Sequence, residues 1–175
     1  MSNHHQDQLD FFGETPASEK EAGPLVIVPC GRTKVWAKYP NAGPTKAREA
    51  YTGTQFRAAS RYAETHGSSW VILSAKYGFI SPDTVIENYD VAFSKLINGY
   101  YRTVEMAGQV SEDVLSSQAR QIAVANPARE ILCLVADAYR VKIERAFAEL
   151  PAILKFPIAG LRQHAMMAWL AKPLP

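Results

Sequence analysis

The fold is organised around residues 70–90, WVILSAKYGFISPDTVIENYD. The stretch opens with Trp70–Leu73, a short apolar run rich in strand-forming residues. Ser74, Lys76 and Tyr77 follow directly, then a hinge at Gly78 and a turn that contains Asp83, and the stretch closes with Tyr89 and Asp90. A buried strand that leads into such a loop is typical of ligand sites in open α/β sheets. Composition alone is equally compatible with an ordinary polar loop.

The overall composition indicates a soluble cytoplasmic domain with a hydrophobic core. The chain has 175 residues, 47% hydrophobic and 21% charged, and its formal net charge of +2 is too small to indicate nucleic-acid binding by itself. No apolar run is long enough to span a membrane, and the N-terminus lacks the order of a signal peptide. Cys30 and Cys133 fall at or in predicted strands, which favours reduced thiols. The histidines and cysteines lack metal-ligand spacing, so we expect neither a metal nor a cofactor.

Residues 1–23 are polar and lack helical periodicity, which predicts a disordered tail. One apolar island interrupts the tail, and its residues Gln8, Leu9, Phe11 and Phe12 resemble the peptide by which bacterial replication and repair proteins dock on the DNA sliding clamp. Phe11 replaces the leucine that is usual in that peptide. Such an island can bind a hydrophobic groove on a partner, or it can pack back on its own domain.

Residues 24–175 are expected to form one α/β domain. Apolar runs predict four strands, at residues 25–28, 70–73, 131–136 and 153–158, the last at an edge because of Pro157. Helical spacing predicts helices at residues 45–65, from residue 93 to residue 106, from a Ser111 N-cap to residue 125, at residues 138–150 and from residue 160 onward. This alternation predicts a three-layer α/β/α domain with a mostly parallel sheet of about four strands.

The carboxyl ends of parallel strands meet at one edge of the sheet, so residues that follow different strands are expected to lie close together there. Cys30, Gly31 and Lys34 follow the first strand and face the polar residues that follow Leu73. Gly31 permits close backbone approach, and lysines at such an edge are candidate phosphate ligands. Cys30 is interpreted as a small packed residue rather than a nucleophile, and Lys76 is expected to pair with Asp83 or Asp90 if it is partly buried.

With these residues in view, the chain is similar to the YaaA-like superfamily, named for a bacterial peroxide-stress protein that binds DNA. It most resembles a set of small bacterial and phage proteins in that superfamily. The residues that carry the resemblance are Cys30-Gly31 with Lys34, Tyr51 with Phe56, the run Ile72 to Gly78, Pro82-Asp83 and Tyr89-Asp90. The resemblance implies a fold akin to uracil-DNA-glycosylases, and a nucleic acid or nucleobase as substrate, in DNA repair, modification or stress response. Lys76 and Asp90 depart from the pattern of the superfamily's named member, so its chemistry is not transferred.

The chemistry that fits these residues is cleavage or exchange at the N-glycosidic bond of a nucleobase, as in a glycosylase or transferase. Positive charge develops on the sugar, so a carboxylate is needed, and Asp90 is the first candidate and Asp83 the second. Tyr77 and Tyr89 are candidates to stack on an unpaired base, and Lys76 to balance the charge of the leaving base or to act as an amine nucleophile. Two alternatives remain open. One is a non-catalytic DNA-binding protein with a basic stripe on the first helix, formed by Lys46, Arg48, Arg57 and Arg61. The other is a hydrolase or transferase of free nucleotides.

Overall fold

The computed structural model describes residues 23–126 and 130–172, which form nine strands and five α-helices. The strands are β1 (Leu25–Pro29), β2 (Thr45–Lys46), β3 (Ser69–Ser74), β4 (Gly78–Ile80), β5 (Val85–Ile86), β6 (Ser94–Ile97), β7 (Tyr100–Thr103), β8 (Glu130–Cys133) and β9 (Ile153–Lys155). The helices are α1 (Ala47–Ala50), α2 (Thr54–His66), α3 (Glu112–Ala125), α4 (Asp137–Ala146) and α5 (Gln163–Leu170).

Five strands form the central sheet in the order β4-β3-β1-β8-β9. Neighbouring strands from β3 to β9 run parallel, and β4 pairs antiparallel with β3 at the edge. The prediction of a mixed α/β fold with a mostly parallel sheet is therefore confirmed, with β4 as an additional strand. Strand β9 lies at the other edge, as Pro157 predicted, although the strand ends before this proline.

The core consists of two apolar clusters that share the central strands. Val26 and Val28 belong to one cluster, together with residues of α1, α2 and α5. Leu25 and Ile27 belong to the other, together with residues of α3 and α4. Successive side chains of a strand point to opposite faces, so a strand that is apolar throughout must be covered on both faces. This explains why the run at residues 25–28 shows no alternation of polar and apolar residues.

The helix predicted from residue 93 to residue 106 is wrong. This segment forms an antiparallel hairpin in which β6 pairs with β7. Its two-residue turn consists of Asn98 and Gly99, with φ angles of 51° and 81°. Two consecutive positive φ angles are characteristic of the type I′ turn, for which Asn-Gly is a preferred sequence. The turn therefore overrides the helical spacing of the flanking apolar residues.

The single helix predicted at residues 45–65 is also wrong in part, because the chain forms β2, α1 and α2 in its place. The break lies at residues 51–53, where backbone contacts with the loop after β1 hold the chain in an extended conformation. Lys34 and Tyr51 form an isolated antiparallel bridge, and the Thr52 amide donates to the Thr33 carbonyl at 2.9 Å. Tyr51 is thereby placed beside the carboxyl ends of the strands.

Two further details of the helices test the sequence interpretation. Ser111 caps α3 as predicted, and its hydroxyl accepts a hydrogen bond from the Val114 amide at 3.3 Å. His164, which the helical spacing from residue 160 onward places on the inward face of the last helix as a core histidine, is exposed instead. The inward residues of α5 are Met166 and Leu170.

No helix in the described part of the chain combines the length and apolar character that crossing a membrane requires.

Candidate functional site

The site lies where β1, β3 and β8 end. The Cys30 amide donates to the Leu73 carbonyl at 3.0 Å, and the Leu134 amide donates to the Ile27 carbonyl at 2.8 Å, so the three strands end close together. The structure thus brings the loop after β1, the loop after β3 and the start of α4 to one edge, as the sequence predicted. We call this the strand-end edge.

Tyr89 reaches this edge from the loop after β5 and forms a buried chain of hydroxyl groups. Its oxygen lies 2.7 Å from the Tyr51 hydroxyl and 2.9 Å from Ser74 Oγ. Ser74 Oγ also accepts the backbone amides of Lys76 and Tyr77, each at 3.2 Å, so both of its lone pairs are in use. Ser74 therefore donates its own proton to Tyr89, whose hydroxyl shares the second hydrogen bond with Tyr51.

Burial has a clear electrostatic effect on these phenols. It raises the pKa of Tyr89 and the pKa of Tyr51 well above the usual value, and negative charge on Cys30 adds to both shifts. The two tyrosines are therefore neutral hydrogen-bonding groups at ordinary pH. They are not general bases.

Two lysine ammonium groups lie against the ring of Tyr89. Lys34 Nζ is 4.4 Å from the ring centroid and Lys76 Nζ is 5.7 Å from it, and Lys76 is also 5.1 Å from the Tyr77 ring centroid. The Tyr77 ring in turn packs edge-on against Tyr89 at 5.5 Å. We call these six residues the Tyr89 cluster: Lys34, Tyr51, Ser74, Lys76, Tyr77 and Tyr89.

Neither lysine of the cluster has a close anionic partner. Among the described residues, no carboxylate oxygen lies within 4.0 Å of Nζ of Lys34 or Lys76. Both side chains are half-buried. Burial lowers the pKa of Lys34, and negative charge on Cys30 and Asp90 opposes this shift. The edge therefore holds positive charge that no ion pair between described residues neutralises.

The two candidate carboxylates are separated by the fold. Asp90 directly follows Tyr89 and is exposed, and its negative charge favours the protonated form of Lys34 by raising the pKa of that lysine. Asp83 instead forms ion pairs with Arg48 at 3.1 Å and with Lys46 at 3.5 Å. Lys76 forms an ion pair with neither Asp83 nor Asp90, so the pairing expected from the sequence is wrong.

Asp83 lies at the opposite end of β3 from Ser74. Its partner Arg48 has its guanidinium carbon 5.8 Å from the Trp70 ring centroid, and Trp70 precedes Ser74 by about 13 Å along the strand. The antiparallel strand β4 returns the chain to this end. A catalytic role for Asp83 at the strand-end edge is thus incompatible with its position.

The same ion pairs affect the basic stripe expected on the first helix. Lys46 and Arg48 both form ion pairs with Asp83, and Arg48 also pairs with Glu64 at 3.5 Å, so two carboxylates offset these two cations. Of the four stripe residues, only Arg57 and Arg61 on α2 form no ion pair with another described residue. The stripe is therefore only half as basic as the sequence indicated.

The remaining site candidates have structural partners. Cys30 Sγ lies 3.2 Å from the hydroxyl of Tyr139, whose ring packs edge-on against Phe93. Gly31 lies against Tyr51, because a Cβ at this position would be 3.2 Å from the Tyr51 Cβ. Gly78 has a φ of +73° and lies beneath the Gln118 side chain. These contacts fix the loops that carry the lysines.

The stacking role predicted for Tyr89 is wrong, whereas that of Tyr77 remains a prediction. Tyr89 is only 8% exposed and Lys34 covers its ring, so no base can lie on it. Tyr77 is half-buried. Tyr89 instead positions the surrounding groups.

Sequence reasoning missed three residues that shape the edge: Tyr51, Gln118 and Tyr101. Tyr51 was recognised only as a motif residue on a helix. Gln118 accepts the Phe79 amide at 2.8 Å and donates to the Tyr77 carbonyl at 3.1 Å, and nothing in the sequence marks such a contact between distant residues. Tyr101 accepts a hydrogen bond from Arg32 at 3.0 Å. It was predicted to lie on a helix, and the Asn98-Gly99 turn was a sequence signal that could have placed it on a strand instead.

Two further sequence predictions concern partner docking and metal binding. The predicted clamp-docking residues Gln8, Leu9, Phe11 and Phe12 lie outside the described residues. Within the described ranges, no group of three or more histidine, cysteine, aspartate and glutamate side chains is arranged to hold a metal ion.

Comparison with known proteins places the chain in a family. Residues 25–172 match a family described as a family of unknown function, DUF6884. The chain belongs to this family. It is also similar to the uncharacterized protein YfjM of Bacillus subtilis strain 168, with 50% identity over 70 residues. The match covers 39% of this chain and 47% of YfjM, so the chain spans about half the length of that relative. No solved structure matches the chain. Function must therefore be inferred from the chemistry of the site.

Proposed function

We propose that the protein binds a nucleotide unit of DNA at the strand-end edge and acts on its N-glycosidic bond. The observation that carries this proposal is the pair of lysines, Lys34 and Lys76, that lie against one buried tyrosine ring without a carboxylate within 4.0 Å in the described part of the chain.

The lysine pair favours an anionic ligand. Half-buried ammonium groups that lack an anionic partner carry a desolvation cost that a bound anion offsets. The backbone bridge to Tyr51 holds the loop of Lys34, and Ser74 Oγ holds the backbone at Lys76, so the two cations are positioned before a ligand arrives. A nucleotide phosphate is the anion that lysines at such an edge bind most commonly.

Asp90 provides the group that the cleavage step needs. Its exposed carboxylate follows Tyr89 directly, and its negative charge raises the pKa of Lys34. In the proposed step water bonds to the sugar carbon C1′ and gives its proton to Asp90, while the base leaves with the electron pair of the glycosidic bond. Lys76 balances the charge of the departing base, and Tyr77 stacks on that base. Lys34 holds the phosphate.

The lysine pair can be tested by ligand binding. Isothermal titration with each of the four deoxynucleoside monophosphates, and with the matching nucleosides, separates the phosphate contribution. The double variant Lys34→Gln/Lys76→Gln should weaken monophosphate binding about tenfold or more while nucleoside binding changes little. Lys38→Gln is the matched control, because it removes an ammonium 5.1 Å from the exposed Tyr39 ring. Equal losses in both proteins would contradict the proposal.

The same titration distinguishes the alternatives. A hydrolase or transferase of free nucleotides would bind a monophosphate as tightly as the same nucleotide within an oligonucleotide. A non-catalytic DNA-binding protein would bind oligonucleotides with a steep dependence on salt and release no base. The half-neutralised stripe on α1 and α2 gives this second alternative little support.

We propose a three-layer α/β/α arrangement and membership of the YaaA-like superfamily for the domain. The two apolar clusters, one with residues of α2 and α5 and the other with residues of α3 and α4, support helices on both faces of the sheet. A cytoplasmic location accords with the unpaired thiols of Cys30 and Cys133.

We also propose that residues 8–12 recruit the protein to a DNA sliding clamp. A fluorescent peptide of residues 1–20 should bind a bacterial clamp, and the same peptide with Phe11 and Phe12 replaced by alanine should not.

A further inference from the structure

The hairpin β6–β7 forms a two-stranded ribbon with its side chains in solvent. Leu96, Ile97, Tyr100 and Tyr101 are exposed large apolar residues, and Tyr100 is 71% exposed. Opposed residues share a face, so one face carries the pairs Lys95–Arg102 and Ile97–Tyr100. We call this the outer face of the ribbon. The other face carries the Leu96–Tyr101 pair.

The outer face has an electrostatic conflict. Lys95 and Arg102 lie directly opposite each other, and like charges in this arrangement destabilise a strand pair. The sequence from residue 94 to residue 103 has no acidic residue. Neither cation forms an ion pair with another described residue. A bound anion that bridges the two cations would remove the conflict.

Tyr100 adds a stacking surface next to this cationic pair. It neighbours Arg102 on the outer face and lies opposite Ile97. An exposed aromatic ring beside paired cations is how proteins bind single-stranded nucleic acid, because a base stacks on the ring while the cations contact the backbone phosphate.

The ribbon is connected to the strand-end edge through its other face. Arg32 Nη1 donates to the Tyr101 hydroxyl at 3.0 Å, and the Arg32 guanidinium carbon lies 5.8 Å from the Tyr101 ring centroid. Arg32 is in the loop that also carries Lys34. The Val104 amide donates to the Phe93 carbonyl at 2.9 Å and closes the base of the ribbon. The ribbon is therefore anchored beside the loop of Lys34, and its outer face points away from that contact.

We propose that the outer face of the ribbon binds single-stranded DNA. A phosphate bridges Lys95 and Arg102, and an adjacent base stacks on Tyr100. The inference rests on the proposed function for the choice of DNA as ligand. The opposed cations favour a polyanion over an apolar protein surface.

Fluorescence anisotropy with a labelled 12-nucleotide single-stranded DNA tests this inference. Tyr100→Ala should weaken binding about fivefold or more, whereas Tyr100→Phe should retain wild-type affinity because the ring is kept. Tyr39→Ala is the matched control, since Tyr39 is 54% exposed, lies beside Lys38 and is outside the ribbon. Circular dichroism confirms that each variant is folded.

The cations are tested by the salt dependence of the same binding. The double variant Lys95→Gln/Arg102→Gln should lower the slope of log affinity against log salt by about 0.7 for each phosphate that the variant no longer neutralises. Arg57→Gln/Arg61→Gln makes the same change of charge on α2 and should leave the slope near the wild-type value. An equal decrease in both double variants would overturn the inference, because binding would then follow net charge alone.

Three further outcomes would overturn the ribbon as a DNA-binding surface: unchanged affinity in Tyr100→Ala, stronger binding of the matching RNA, or a dimer in sedimentation that Tyr100→Ala dissociates. Failure of the proposed function gives a different result. DNA binding would then depend on Tyr100 while no base is released from any oligonucleotide.

Discussion

Replacing Tyr89 by phenylalanine removes one oxygen atom from the centre of the site and keeps the ring under Lys34. That oxygen makes hydrogen bonds of 2.7 Å to the Tyr51 hydroxyl and 2.9 Å to Ser74 Oγ. Tyr51 and Ser74 are 1% and 0% exposed, so water does not replace the missing partner. A buried group left without its partner costs about 1–3 kcal/mol. The Ser74 proton loses its acceptor and the Tyr51 hydroxyl loses its partner, so we expect a destabilisation of about 2–4 kcal/mol.

Thermal and urea unfolding measure this effect. A loss of this size should lower Tm by about 4–16 °C in a domain of this length. Tyr77→Phe is the matched control, since the Tyr77 hydroxyl forms no hydrogen bond with another described residue, and it should change stability by less than about 0.5 kcal/mol. The raised pKa of Tyr89 also means that the folded state keeps its proton above pH 10.0, where the unfolded state loses it. Stability should therefore fall as pH rises above 10.0, less so in Tyr89→Phe. Equal stabilities of the two phenylalanine variants would refute the hydroxyl chain.

Two further predictions concern the frame around the site. Gly78→Ala should lower the free energy of unfolding by about 2–4 kcal/mol, because it strains a φ of +73° and displaces Gln118 from two hydrogen bonds. Gly99→Ala is the control: its φ is +81° but the space around it is open, so it should cost only about 1–2 kcal/mol in urea unfolding. The hydrogen bond from Lys142 lowers the pKa of Glu112 below its usual 4.5, so the stabilisation by this pair is fully present above pH 4.5 and is lost as pH falls through the lowered pKa. Glu112→Gln should flatten the acid limb of the stability profile and cost about 1–2 kcal/mol at neutral pH, a modest value because the Glu112 side chain is 46% exposed. An acid limb as steep as that of the wild type in calorimetry would show that another group controls it.

The parallel strands were predictable because short apolar runs bounded by turn residues, such as residues 25–28 and 70–73, are typical of strands in a covered sheet. The hairpin was missed although its signal was present. The spacing of Phe93, Leu96 and Ile97 also fits a helix, and the Asn98-Gly99 turn decides between the two. Local turn chemistry was a stronger determinant here than apolar spacing.

The site was predictable only as far as parallel strand ends define it. Cys30, Lys34, Ser74 and Lys76 were placed at one edge correctly, since each lies at the end of a parallel strand or in the loop that follows it. The position of Asp83 was not predicted correctly, because it depends on β4, a strand of only three residues that reverses the chain. Contacts between residues far apart in sequence, such as Tyr51 with Tyr89, require the folded structure.

Base release from oligonucleotides tests the central claim most directly. The wild-type protein is incubated with oligonucleotides that carry normal and modified bases, and mass spectrometry records the free base and the abasic strand. We predict release from at least one oligonucleotide, a loss of about 100-fold or more in Asp90→Asn, and wild-type rates in Glu87→Gln and Asp83→Asn. Release that is unchanged in Asp90→Asn, or no release from any substrate, would contradict cleavage at the strand-end edge.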